Sequence, residues 1–327
     1  MLISIFKENL FFNSLLLLPY AFLMRLYSLI YPSSVSIQKE GGILYNFILN
    51  IFPENSFVLN IISVFILFIE AVMINRIVIK NRFSRDMTLL PGMFFIMLSS
   101  LSPEMHGFSP FLIGTFFIIL SFGELFKTYK KYKTEKLLFN SGLYMSIATL
   151  FYFNFSLLFV PLIFSIFSIR SFKPKEFFQF LSGVLLVIYF YTFGLFWFNK
   201  KFIFPQFKFY SITNYFSVDI AKFTIMSITV FILLIIIFTY RKFIIKKSIQ
   251  SQKKINIVFW LLIFIIITIV FHNPKFMMQY QIAIAFPLSV FTSMIFLRIK
   301  NNLIAEIVNL IIVFAILIYH FQFYSLF

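Results

Sequence analysis

An all-α polytopic membrane protein of about eleven transmembrane helices is the fold class this 327-residue chain predicts, and three observations carry the prediction. Composition comes first: the chain is 61% hydrophobic and 12% charged, with a mean hydropathy of +0.96, and no soluble core can hide that much apolar surface. Second, apolar windows of ~17–23 residues, the length that crosses ~30 Å of hydrocarbon at ~1.5 Å per residue, recur along the whole chain. Third, Lys and Arg cluster on every second connection between those windows. The net charge of +17 therefore reads as loops facing lipid headgroups, and nucleic acid is excluded as a partner. With no Cys, disulfides, haem attachments and thiolate metal sites are also excluded.

The elements follow in order. The first expected span, 10–31, carries a single charge, Arg25, and has no small-residue cleavage site after it, so it reads as a retained span. In the long connection 32–55, the stretch 43–52 sets Asn46 and Asn50 four apart on one face of an otherwise apolar segment. That segment is too short to cross and suits a helix lying in the membrane interface. Span 56–76 runs into Arg76, Lys80, Arg82 and Arg85; spans 88–102 and 110–126 are joined by the tight turn Ser102-Pro103-Glu104-Met105-His106-Gly107 and lead into Lys127–Lys136. Both flanks of 137–169 are basic, so both belong to one side, and the chain must turn at Phe153-Asn154-Phe155 to give spans 137–153 and 155–169. Span 177–198, a second long connection at 199–218, span 219–240 and a basic stretch to Lys254 come next. Spans 255–271, 280–297 and 303–323 complete the chain, the first two joined by His272-Asn273-Pro274-Lys275.

This order puts 21 of the 28 Lys and Arg residues on one side, which the positive-inside rule makes cytoplasmic. The N-terminus is then cytoplasmic, the C-terminus is outside, and the expected location is a bacterial inner membrane. With no internal repeat or linker, residues 1–327 read as one transmembrane domain. The three His residues, 106, 272 and 320, then share the outer side with Glu40, Glu54, Glu104 and Asp219. The acids Glu8, Asp86, Glu124, Glu135, Glu176 and Glu306 fall near the basic face, where they neutralise neighbouring cations.

Two charges lie inside expected spans, where an unpaired charge is costly. Arg25, below the outer end of the first span, reads either as a snorkelling side chain or as an anion-binding group at the mouth of an outer cavity. Glu70, toward the inner end of the second, reads as a partner of Asn75 or Arg76. By this topology the two are in opposite leaflets and do not pair.

The run Leu23-Met24-Arg25-Leu26-Tyr27, then Tyr31-Pro32, then Lys39-Glu40-Gly41-Gly42 before the interfacial segment, resembles the start of the GT-C class of membrane glycosyltransferases. Glu104-Met105-His106 in the next outer turn, the short paired spans from Phe111 to 170–175 and the long 199–218 connection extend the resemblance over 10–240, with 241–327 as additional spans. The resemblance implies a GT-C-like arrangement and transfer of a sugar from a polyprenyl-phosphate donor to an acceptor at the outer face. It implies Glu40 and Glu104 as catalytic carboxylates and Arg25, His106, His272 and Lys275 as substrate contacts, with a divalent cation possible. Membrane lipid and the lipid-linked sugar are the expected partners.

The chain departs from the family pattern in two places. Lys39-Glu40 stands where an Asp-Glu step is usual, and Glu104 with His106 where two carboxylates would hold a hard cation. Two further readings therefore stand beside the transferase: a non-catalytic subunit or scaffold on a similar helix arrangement, and a secondary transporter. Plain Phe, Ile and Leu at mid-span speak against the transporter. His272 and His320 also read as interfacial polar groups, Glu40 as a solvated loop carboxylate, and Glu104 with His106 as N-terminal caps of the following span.

Overall fold

Every regular element of the computed structural model is helical across the described residues 2–31, 41–51, 56–170, 173–199, 220–245, 247–269 and 277–325. The N-terminal region is broken into α1 (Leu2–Lys7), α2 (Phe11–Leu15), α3 (Leu17–Met24) and α4 (Leu26–Ile30). Then come α5 (Ile43–Ile51), α6 (Ser56–Lys80), α7 (Leu90–Leu98), a 3-10 turn Pro103–Met105 and α8 (Pro110–Phe126). Next are α9 (Glu135–Phe151), a 3-10 turn Phe153–Leu158, α10 (Phe159–Ile169) and α11 (Pro174–Trp197). The chain closes with α12 (Ile220–Ile244), α13 (Ile249–Thr268), α14 (Met277–Phe296) and α15 (Asn302–Ser325).

Among the described residues, six helices are long and apolar enough to cross a membrane: Phe57–Lys80, Pro174–Trp197, Ile225–Ile244, Ile249–Thr268, Met277–Phe296 and Asn302–Phe321. The eleven spans expected from apolar windows are not all present as helices of that length among the described residues. Three further apolar helices, Phe11–Met24, Pro110–Phe126 and Phe153–Ile169, are shorter. The window 88–102 holds only the nine-residue α7, about half the length that crosses a ~30 Å core. Hydropathy alone cannot tell a buried half-helix from a span, because both are apolar on every side.

The core is organised around α14, which is buried on nearly all faces and packs against α7, α8, α12 and α13. Outer helices turn large apolar side chains outward instead, with Phe196 on α11 79% and Phe238 on α12 81% exposed, as lipid-facing surfaces require. Helices α9 and α11 meet through glycines. A Cβ on Gly142 would stand 2.4 Å from the Phe180 carbonyl oxygen, and one on Gly183 2.2 Å from that of Phe139. Small residues are what let helix backbones approach this closely. Lys175 pairs with Glu135 at 3.5 Å where both helices begin, so α9 and α11 run in the same direction and 153–169 brings the chain back between them. The turn expected at 153–155 is present as the second 3-10 turn.

The basic connections converge on one end of the bundle. Phe6 O accepts from Leu89 N at 2.8 Å, Lys7 Nζ donates to Asn302 Oδ1 at 3.0 Å, and Lys254 Nζ donates to Asn81 Oδ1 at 2.6 Å. Arg170 donates to the carbonyls of Thr128 (3.1 Å) and Lys131 (2.6 Å) and pairs with Glu176 at 3.2 Å. Arg298 donates to the Lys242 carbonyl, and Lys254 lies 5.6 Å from the centroid of the Tyr129 ring. Glu306, expected to neutralise a cation, instead accepts from the Ile3 and Ser4 amides at 3.2 and 2.7 Å and so ties α15 to the free N–H groups of α1.

Candidate functional site

At the opposite end the chain from Ser99 to Ser109 passes between α7 and α8 with hardly any regular structure, yet most of it is buried. A buried non-helical backbone has amides and carbonyls that no helix satisfies, and in a membrane protein it persists only where protein groups replace water. The interior polar side chains of this protein perform that replacement.

Helix α6 supplies several of them from one face. Asn60, Ser63, Glu70 and Asn75 are all buried and recur at near-helical spacing among Val64, Leu67, Ala71 and Ile74. Asn75 Oδ1 accepts from the Gly92 amide at 2.6 Å, acting from a neighbouring helix as the N-terminal cap of α7. Gly92 is required there: a Cβ would stand 2.5 Å from Asn75 Nδ2 and 2.6 Å from the Ala71 carbonyl oxygen. Asn60 Nδ2 donates to Ser28 O at 3.0 Å, tying α4 to α6.

Arg25 is the centre of the arrangement. It interrupts the helix between α3 and α4, with φ −109° and ψ 12°, and its side chain is completely buried. Nη1 donates to Ser63 Oγ at 2.9 Å and to the His106 carbonyl at 3.0 Å, while Nη2 donates to the Met105 carbonyl at 3.2 Å. A planar guanidinium meets two successive carbonyls and a hydroxyl at once, which a Lys ammonium does less well. Arg25 therefore neither snorkels nor faces an open cavity: its Nη groups close the end of the 3-10 turn.

The His106 ring is also buried, with Nε2 3.4 Å from Ser100 O, and it meets His320 of α15 edge to face with centroids 4.5 Å apart. Burial, reinforced by the neighbouring His320 ring and the Arg25 guanidinium, holds His106 well below the usual histidine range. His320 is itself completely buried rather than interfacial. Glu70 forms no ion pair with Arg76, and neither carboxylate oxygen has a donor among the described residues. As expected, Arg25 and Glu70 do not pair with each other.

The helix expected at 43–52 is present as α5, Ile43–Ile51, and it is docked on the bundle. Gly42 N donates to Phe151 O at 2.7 Å, and a Cβ on Gly42 would stand 2.0 Å from the Leu150 carbonyl oxygen. Tyr45, fully buried, donates its hydroxyl to Phe108 O at 3.0 Å and stacks on the Phe108 ring. Leu49 extends this contact, while Ile43, Phe47 and Ile51 form an exposed apolar flank.

Of the six residues predicted to form the site, Arg25 and His106 are brought into contact, and Glu104 sits half-buried on the same 3-10 turn. Glu40, His272 and Lys275, like the 199–218 connection beyond residue 199, lie outside the described residues. Ser63, Asn75, Tyr45 and His320 were not singled out as site residues. The polar spacing on one face of α6 was the signal for the first two; nothing local marks Tyr45 or His320 as partners of 99–109. No group of three or more His, Asp or Glu that could hold a metal ion occurs among the described residues. No family model, curated protein or solved structure matches this chain. The molecule is an all-helical protein with six candidate membrane spans.

Proposed function

We propose that this chain is a non-catalytic membrane subunit or scaffold whose interior polar groups hold the 99–109 passage and the docked helix α5 in one arrangement. The observation that carries this reading is the state of Arg25. A guanidinium that is fully buried and already donates to Ser63, Met105 and His106 supports a structural role over the phosphate contact that the glycosyltransferase resemblance implies. The buried aromatic pair Tyr45 and Phe108 stacks in the same passage and adds to the packing that holds it. By the positive-inside rule the basic end is cytoplasmic and the α5 end faces outward, in a bacterial inner membrane.

One observation favours the transferase as a second reading. Glu104 remains half-buried on its 3-10 turn, at the end away from the basic connections and near the docked α5. Under that reading Glu40 and Glu104 are the catalytic carboxylates, and His106, His272 and Lys275 contact a polyprenyl-phosphate sugar, with or without a divalent cation. The deciding experiment reconstitutes the purified chain in vesicles with labelled polyprenyl-phosphate hexose and measures its native mass in parallel. A scaffold gives no turnover and migrates within a larger assembly when extracted from its own membrane. Turnover by the isolated chain that Glu40→Gln or Glu104→Gln abolishes overturns the scaffold and establishes the transferase.

A further inference from the structure

The basic end contains a cavity of about 490 Å³ lined by the turn after α6 and the C-terminal ends of α12 and α14. Arg85, Lys242, Lys247 and Arg298 line it together with a single carboxylate, Asp86. Several cations elsewhere at this end are engaged: Lys127 with Glu124, Lys175 with Glu135, Arg170 with Glu176 and two carbonyls, and Lys254 with Asn81. None of the ion pairs among the described residues involves the four cations of the cavity. They crowd one another instead: burial and the proximity of Arg85 and Arg298 lower the Lys247 pKa, and Asp86 opposes this only in part.

The cavity is also preorganised. Helix α6 ends with Arg82 N donating to Ile79 O and Phe83 N to Val78 O, both at 3.1 Å, and with Arg82 at φ 52°. That double bond pattern with a left-handed residue reverses the chain sharply and buries Phe83, setting Ser84, Arg85 and Asp86 along one wall. On the other wall the Arg298 guanidinium donates to the Lys242 carbonyl and lies 4.6 Å from the centroid of the Phe243 ring. Phe83, Phe243 and Met294 form a buried apolar floor, and Ile245, 61% exposed, forms an apolar rim.

We propose that this cavity binds a phosphate-bearing anion, with the headgroup of an anionic phospholipid as its natural source. Four cations against one carboxylate supply the charge, the volume falls in the range of small-molecule sites of roughly 300–1,000 Å³, and basic pockets between helices at the cytoplasmic face are suited to such headgroups. The exposed Ile245 rim lets acyl chains continue into the bilayer while the phosphate meets Arg85 and Lys247. Arg298 and Lys242 hold the wall, so Arg85 and Lys247 are the residues to change.

The test compares wild type with Arg85→Ala/Lys247→Ala and with Lys133→Ala/Lys136→Ala, which removes the same charge from the same end but outside the cavity. Each is placed in nanodiscs containing phosphatidylglycerol and phosphatidylcholine, and lipid retained through detergent extraction is counted by native mass spectrometry. A parallel arm adds inorganic pyrophosphate to protein in phosphatidylcholine alone and reads the thermal unfolding midpoint. Retention of phosphatidylglycerol that falls at least fivefold in the cavity variant only identifies a lipid site. A pyrophosphate-induced rise in midpoint confined to proteins with an intact cavity, without lipid retention, identifies a soluble phosphate ligand at the same site. Equal loss in both double variants, or no loss and no shift in either arm, overturns the proposal.

Discussion

Arg25 Nη1 lies 3.0 Å from the carbonyl oxygen of His106, a residue 81 positions away, and the bond joins the break between α3 and α4 to the end of a buried 3-10 turn. Sequence puts a cation inside an apolar run and a His in a polar turn. Only their meeting reveals that the cation serves the turn's backbone rather than its side chain. The same guanidinium reaches Met105 O and Ser63 Oγ, so three elements depend on one side chain.

Replacing Arg25 by Met removes these donors and leaves the Met105 carbonyl without a partner among the described residues, while the His106 carbonyl keeps only the Ser63 hydroxyl at 2.9 Å. The expected loss is about 2–3 kcal/mol, since a buried acceptor left unpaired costs roughly 1–3 kcal/mol and the lost bonds are charge-assisted. Arg25→Lys recovers only part of this, because one ammonium cannot span both carbonyls and the hydroxyl from a single planar fork. Thermal unfolding in detergent of the three proteins should rank them wild type, Lys, Met. Equal stability of Arg25→Met and wild type would show that the 99–109 passage does not need these bonds.

Glu70 makes the opposite prediction. A buried carboxylate without a donor among the described residues is a cost to the fold, which Gln removes while keeping the shape. Glu70→Gln should therefore raise the unfolding midpoint, by the equivalent of about 1 kcal/mol or more. A lowered midpoint would mean that the carboxylate's attraction to Arg25 outweighs its burial.

Gly92 and Gly107 separate close packing from mere presence in a loop. The Cβ of Gly92→Ala meets the Ala71 carbonyl oxygen, a backbone atom that cannot rotate away, so the variant should lose roughly 1–3 kcal/mol as an overpacked core does. A Cβ at Gly107 has nothing within 4 Å, and Gly107→Ala should stay within about 0.5 kcal/mol of wild type. Matched chemical-denaturation curves check the contrast, and similar losses at both positions would refute it.

Orientation is open to direct measurement because the chain has no Cys of its own. Single cysteines at Lys133, in the exposed basic turn, and at Asn50, the exposed polar position of α5, report on the two ends of the bundle. With the basic end cytoplasmic, a membrane-impermeant thiol reagent added to intact cells labels Asn50→Cys, and labels Lys133→Cys only after permeabilisation. The reverse pattern would invert the topology.

Composition and charge spacing by themselves determine that this chain is helical, lives in lipid and gathers its basic turns at one end. Those properties depend on local quantities, run length and charge density, which a window of about 20 residues contains in full. The short helix at 43–51 and the reversal at 153–155 were legible for the same reason: each is signalled within a few residues. Tertiary structure alone decided that 88–102 holds a half-helix and a buried passage, that Arg25 bonds carbonyls rather than facing an outer cavity, and that His320 joins His106. Those outcomes turn on which distant backbone groups lack partners. A buried carbonyl's need for a donor becomes visible only once packing has removed the water that would otherwise meet it.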